Sequence, residues 1–187
     1  GQSQTTLEFA TLTVKTVGGE GAIGEDVDMY LNNEYIGGDN TGGDGEFVAH
    51  VAPGTYQLKA NGRVGSETHI DEASEIIEEV TVTGGQSQKT ALEFATVTVQ
   101  TVCGEGAVGE DVDMFLNGTY IGSDSTGGDG EFVAHVAPGT YELEANGRVG
   151  SDTHIDEASE VIQDVTVSAG QSQMATLEFA TLTVETV

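Results

Sequence analysis

One stretch occurs three times in this sequence: LEFATLTVKTV from Leu7, LEFATVTVQTV from Leu92 and LEFATLTVETV from Leu177. Its recurrence sets a period of 85 residues, so that 11–95 is one copy and 96–180 the next, with about three quarters of aligned positions identical. A self-similar period defines the folding unit before any residue-level argument begins. Each copy must bury a core of its own, and about 85 residues suffice for one sandwich with a limited margin of stability.

Within the repeated stretch the apolar residues change phase. Leu7 and Phe9 alternate on odd positions, Leu12 and Val14 on even ones, and the inward face flips near Ala10 and Thr11. Side chains on a strand point to opposite faces with a period of two, so a one-residue slip sends the apolar set to the other side. One long strand serving two cores accounts for the flip, with Leu7 to Ala10 closing one domain and Thr11 to Val17 opening the next. A bulge inside a single domain is the other reading. The shared-strand reading gives the last strand of a preceding repeat over 1–10, sandwich repeats over 11–95 and 96–180, and the first strand of a following repeat over 181–187. Gly1 then falls inside a hairpin turn and Val187 at the close of a first strand, as expected of a window from a longer array.

The rest of each copy reads as short strands between turn signals. In the first, Gly18 to Gly24 is a glycine-rich bend, and Val27, Met29 and Leu31 then alternate along a half-buried strand. Asn32-Asn33, and Asn117-Gly118 in the second copy, sit where a two-residue hairpin turn belongs, the chain returning through Tyr35 and Ile36. Gly37 to Phe47 is too rich in glycine for a strand interior and reads as a loop or tight hairpin. Phe47, Ala49 and Val51 then face one way, Val48 and His50 the other. Pro53-Gly54 turns the chain into a strand with Tyr56, Leu58 and Ala60 inward. Asn61 to Glu75 has no clean period, with one helical turn expected around Asp71 to Glu75. A last strand follows over Ile76 to Thr83, with Ile76, Val80 and Val82 on the core face. No segment sustains an apolar helical period. The expected class is all-β: tandem seven-stranded Ig-like sandwiches joined by a strand shared between neighbouring domains.

GEGAIGEDVDMYLNNEYIGGDNTGGDGEFVAHVAPGTYQLKANG resembles the prealbumin-like (transthyretin-like) sandwich modules, most of all the carboxypeptidase regulatory-like and PEGA-type repeats. The matching pattern is a small-residue bend and strand at Gly21 to Val27, a T-x-x-x-G-x-F turn at Thr41 to Phe47 and P-G-x-Y at Pro53 to Tyr56. The second copy matches at Gly106 to Val112, Thr126 to Phe132 and Pro138 to Tyr141. The resemblance implies a fold more than an activity, namely stalks, spacers and adhesive or binding units on secreted and surface proteins. The lysine-to-asparagine isopeptide crosslink of related pilin and adhesin modules does not carry over, because Lys15 becomes Gln100 and Lys59 becomes Glu144 in the second copy.

Charge narrows the partners. Five Lys plus Arg stand against 32 Asp plus Glu, a formal net charge of -27. That argues against nucleic acid, which is held by cationic contacts to phosphate. Self-repulsion on this scale weakens the compact state in dilute buffer, and a Debye length of about 3 Å at 1 M salt removes most of it. The composition fits a halophilic or marine surface protein, and an acidic, calcium-loaded adhesin would look similar. No apolar run approaches the roughly 18 residues of a membrane span. The single cysteine, Cys103, replaces Gly18 of the first copy and cannot close a disulfide within either.

Calcium is the first candidate ligand, since it takes six to eight oxygens. The candidate donors are Asp39, Asp44 and Glu46, with Asp124, Asp129 and Glu131 in the second copy, and further oxygens on Glu25, Asp26 and Asp28. DNTGGDGE lacks the spacing of an EF-hand, and solvated turn acids account for it without a metal. His69, Asp71, Glu72 and Glu75 sit with Arg63, repeated as His154, Asp156, Glu157, Glu160 and Arg148. One histidine per cluster is a weak zinc signature, and a local salt-bridge and capping network around Arg63 reads better. His50 and His135 are expected at a surface or edge. Asn117-Gly118-Thr119 fits the N-glycosylation sequon and Asn32-Asn33-Glu34 does not. There is no nucleophile elbow, phosphate-cradling loop or Cys-His arrangement, and an enzyme is not expected.

The leading expectation is therefore a structural extracellular protein at the cell surface, forming a stiff stalk, fibre or filament whose partners are neighbouring copies of itself, with no required cofactor. The alternative is a cell-surface adhesin or glycan-binding module. The absence of tryptophan leans against sugar stacking.

Overall fold

A computed structural model of the chain describes residues 7–66, 70, 74–104, 106–148 and 161–186. The strands in chain order are β1 (Ala10–Gly18), β2 (Gly21–Ala22), β3 (Asp26–Leu31), β4 (Glu34–Asn40), β5 (Glu46–Val51), β6 (Gly54–Ala60), β7 (Arg63–Val64), β8 (Ile76–Val82) and β9 (Ser87–Glu93). They continue with β10 (Ala95–Cys103), β11 (Gly106–Ala107), β12 (Asp111–Leu116), β13 (Thr119–Ser125), β14 (Glu131–Val136), β15 (Gly139–Ala145), β16 (Val161–Val167) and β17 (Ser172–Phe179). The fold is all-β.

The strands form four sheets around two cores. In the first pair, β1 lies between antiparallel β5 and parallel β9, and the facing sheet runs β4-β3-β6-β8. Leu12, Val14, Val27, Leu58 and Tyr56 fill the space between them. The second pair repeats this plan with β10 between β14 and parallel β17, opposite β13-β12-β15-β16, over Val97, Val99, Val112, Leu143 and Tyr141. The alternation read from the sequence places these residues, because each inward position is one pleat from the next.

The two cores meet on one run of chain. Leu92 and Phe94 belong to the first cluster, and Ala95, Val97 and Val99 to the second. The phase flips between Phe94 and Ala95, one residue earlier than the alternation suggests, because Ala95 is itself buried and opens β10. Phe94 is held from both sides: its N–H donates to the Val17 carbonyl at 2.8 Å and its carbonyl accepts the Gly170 N–H at 3.0 Å.

One further expectation changes, and another lies largely outside the described residues. The glycine-rich stretch expected to be a loop from Gly37 is strand as far as Asn40, pairing with β3 through a register shift at Met29/Tyr30 that leaves Ile36 as the extra residue. An extra residue absorbed as a bulge lets a strand continue through Gly37, whose φ of 147° favours glycine. The helical turn expected around Asp71 to Glu75 falls largely outside the described residues. The aperiodic segment that contains it contributes β7, which joins the sheet of the second sandwich by pairing with β14.

Candidate functional site

The turn motifs explain themselves as architecture. Thr41 is buried, and its Oγ1 accepts the Glu25 N–H at 3.0 Å and sits 2.5 Å from Thr16 Oγ1, which donates to the Ile23 carbonyl at 2.5 Å. Gly45 turns at φ 68°, and its carbonyl accepts the Thr16 N–H. A Cβ there would come within 2.8 Å of the Thr16 carbonyl oxygen, so the glycine is required by both conformation and space. The second copy repeats the arrangement with Thr126, Thr101, Glu110 and Gly130. In P-G-x-Y, Tyr56 OH donates to the Ala52 carbonyl at 2.7 Å, and Tyr141 OH to Ala137 at 2.6 Å. Thr16 and Thr101 gave no signal in the sequence beyond being threonines at inward strand positions.

What the turn positions is Glu25. Held through its own N–H, it presents a buried carboxylate to the other sandwich: Oε1 lies 2.8 Å from His135 Nδ1 on β14 and 3.6 Å from Arg63 Nε on β7. Arg63 and His135 are themselves paired across the β7–β14 ladder. His135, expected at a surface, is buried, because β7 and Glu25 cover its face of β14. Arg63 therefore pairs across the junction, and Glu75 of the proposed local network lies 3.6 Å from Lys59. His69, Asp71 and Glu72, with His154, Asp156, Glu157 and Glu160, lie outside the described residues.

The same segment reaches further into the second sandwich. Val64 is fully buried there and Ile70 nearly so. The Ser66 N–H donates to Asp124 Oδ2 at 2.6 Å, and the Gly65 N–H to the Val133 carbonyl at 3.0 Å. Ser74 Oγ accepts the Ala137 N–H at 3.3 Å and lies 3.0 Å from Tyr141 OH, whose own proton goes to Ala137. Burial pushes the Tyr141 phenol above its ordinary value, with the Ser74 hydroxyl opposing. On the other flank the Gly19 N–H donates to Thr96 Oγ1 at 3.0 Å, and a Cβ on Gly19 would strike the backbone at Gln171 and Ser172. A cleft of about 640 Å³ remains between the sandwiches, lined in part by Glu20, Asn40, Arg63, Thr96 and His135. Sequence reading missed Val64 and Ile70 as junction residues. Their signal was two apolar side chains in an otherwise polar, aperiodic segment.

The candidate calcium donors take part in turns and ladders. Asp44 Oδ1 and Asp129 Oδ1 accept the N–H groups of Glu46 and Glu131, two residues on. Glu46 pairs with Lys15 across the sheet, and Glu131 accepts from Gln100 Nε2 at 2.7 Å. Asp39 accepts the Asn40 N–H, while Asp124 is engaged at the junction. Among the described residues no group of three His, Cys, Asp or Glu is gathered to hold a metal ion. Asn117 is exposed at φ 53° beside Gly118 at 76°, the two-residue hairpin turn with both central residues left-handed. Cys103 is half-buried, its Sγ 2.7 Å from Thr181 Oγ1. No described helix is long and apolar enough to cross a membrane.

No family model and no curated protein sequence matches this chain. Among solved structures it is similar to the minor pilin GBS52 of Streptococcus agalactiae, at 11% identity and a TM-score of 0.39 over 95% of this chain and 98% of that one. It is also similar to the shaft pilin SpaA from Lactobacillus rhamnosus GG, at 10% identity and a TM-score of 0.37 over 95% and 100%. For the Bacillus anthracis TIE protein the values are 11% and 0.39 over 92% of this chain, which spans 34% of the length of that one.

Proposed function

We propose that this chain is a segment of a structural, extracellular filament or stalk, built from tandem prealbumin-like domains over 11–95 and 96–180 that share the strand at each boundary. The observation that carries this reading is Phe94. Its side chain lies in one core, the next residue lies in the other, and its N–H and carbonyl are bonded to different sandwiches. No spacer separates the cores, and the Glu25–His135 pair and the β7–β14 ladder resist swivelling about that point.

Near-identical copies placed end to end transmit tension and set a spacing, while the acidic surface keeps the assembly soluble in salt. The test is electron microscopy of the intact material at high salt. A stiff fibre with an axial repeat of roughly 35 to 45 Å per domain, from a strand rise of about 3.3 Å per residue, is expected. Flexible beads or isolated globules would overturn the reading and favour an adhesin.

A further inference from the structure

Four of the differences between the two copies fall together on the outer face and tip of one hairpin. Where the first copy has Tyr30, Asn33, Glu34 and Lys59, the second has Phe115, Gly118, Thr119 and Glu144. Phe115 projects outward from β12, between Met114 and Leu116, which belong to the core. Its cross-strand partner on β13 is Tyr120, 47% exposed, and the two rings meet edge to face with centroids 5.7 Å apart. Tyr30 and Tyr35 form the same pair in the first copy.

What lies over the rings differs. Lys59 Nζ is 5.3 Å from the centroid of the Tyr30 ring, a cation over a π face. The corresponding residue on β15 is Glu144, and the face that attracts an ammonium repels a carboxylate. The copy that loses this cover gains an acceptor sequence. Asn117-Gly118-Thr119 has the hydroxyl residue two places after the asparagine that N-linked transfer needs, and Asn32-Asn33-Glu34 has not. Asn117, Gly118 and Thr119 are all exposed, and among the described residues neither the Asn117 carboxamide nor the Thr119 hydroxyl is hydrogen bonded. A sugar supplies what the rings then lack. One side of it carries C–H bonds that pack on an aromatic face, while its hydroxyls turn to water.

We propose that Asn117 is the attachment site of an N-linked glycan whose first sugar lies over Phe115 and Tyr120. The co-substrate is a lipid-linked oligosaccharide phosphate. The bond from the sugar C1 to Asn117 Nδ2 forms as the bond from C1 to the phosphate oxygen breaks, and the lipid phosphate leaves with the proton that Nδ2 gives up. The inference rests on the extracellular reading, because this transfer accompanies export.

The experiment is peptide mass spectrometry of the intact material. The peptide containing Asn117 should carry a mass increment of whole sugar residues on that asparagine, and the peptide containing Asn32 none. An unmodified Asn117 in material that forms stiff fibres would overturn this inference and leave the filament reading standing. Glycosylated Asn117 in material that forms flexible beads would support this inference and remove the filament reading. The placement over the rings is read separately, on the whole chain made in a eukaryotic secretory host and in a bacterial host without the transferase. The glycosylated chain should unfold at least about 2 °C higher in 1 M salt. Phe115 lies outside the core, so Phe115→Ala should fold, keep the sugar and lose that gain, whereas Thr119→Ala should lose the sugar itself. Equal gains with and without Phe115, or no gain in either, would overturn the placement.

Discussion

Replacing Thr41 by valine keeps the β-branched shape and removes one hydroxyl from a site with no access to water. That oxygen accepts the Glu25 N–H at 3.0 Å and lies within 3.2 Å of the Ile23 and Glu25 carbonyls. Losing a net hydrogen bond costs about 1 kcal/mol, and leaving the Glu25 N–H buried without its acceptor adds about 1–3. The expected loss is about 2–4 kcal/mol. For a unit of this size, at about 4–8 °C per kcal/mol, it lowers Tm by on the order of 8–32 °C. The assay is thermal and urea unfolding in 1 M salt followed by far-UV circular dichroism, with Thr126→Val as the internal replicate, since Thr126 bonds the Glu110 N–H at the same 3.0 Å. Thr41→Ser should recover most of the loss. Thr41→Val, unlike Thr126→Val, should also separate the unfolding of the two sandwiches, because among the described residues it is Glu25, not Glu110, that reaches across to His135. A loss under about 0.5 kcal/mol would refute the view that the threonine of the turn holds Glu25 in place.

Tyr56→Phe should cost about 1–2 kcal/mol by leaving the Ala52 carbonyl without its donor, read as a drop in urea midpoint at unchanged slope. Asn33→Gly should stabilise the first sandwich by a few tenths to about 1 kcal/mol, since Asn33 adopts φ 64° where the second copy has Gly118; no gain in Tm would contradict the turn assignment. Glu110 sets a pH dependence. Its folded-state affinity for a proton is raised above the ordinary value of 4.5 by burial, against Arg148 and with Asp111. Its contribution is therefore fully present below pH 4.5 and is lost as pH rises through the higher folded value. Glu110→Gln should gain stability relative to the native chain as pH rises through that window, and a flat difference across pH 4–7 would contradict it.

The core was legible because strand alternation is local: Val27 with Met29, Tyr56 with Leu58, and Val80 with Val82 lie inward as their spacing requires. The phase change at the repeated stretch was legible for the same reason, to within the one residue by which Ala95 joins β10. The Gly37 strand was not, since glycine's preference for turns is a local tendency that pairing to β3 overrode. The junction was less legible still. β7 is two residues long, too short to show a period, and its partner β14 lies about 70 residues onward.

His50 and His135 mark the limit most sharply. They sit in the same FVAHV strand, before the same Ala-Pro-Gly turn, and no rule that reads neighbours along the chain can tell them apart. By itself the sequence determined the period, the inward faces and the Asn-Asn, Asn-Gly and Pro-Gly turns, because those follow from side-chain alternation and backbone preference within a few residues. Only the tertiary structure decided which histidine is buried against a carboxylate and which is left open. That depends on whether a segment from the adjoining sandwich covers the edge, a matter of packing between parts of the chain distant in sequence.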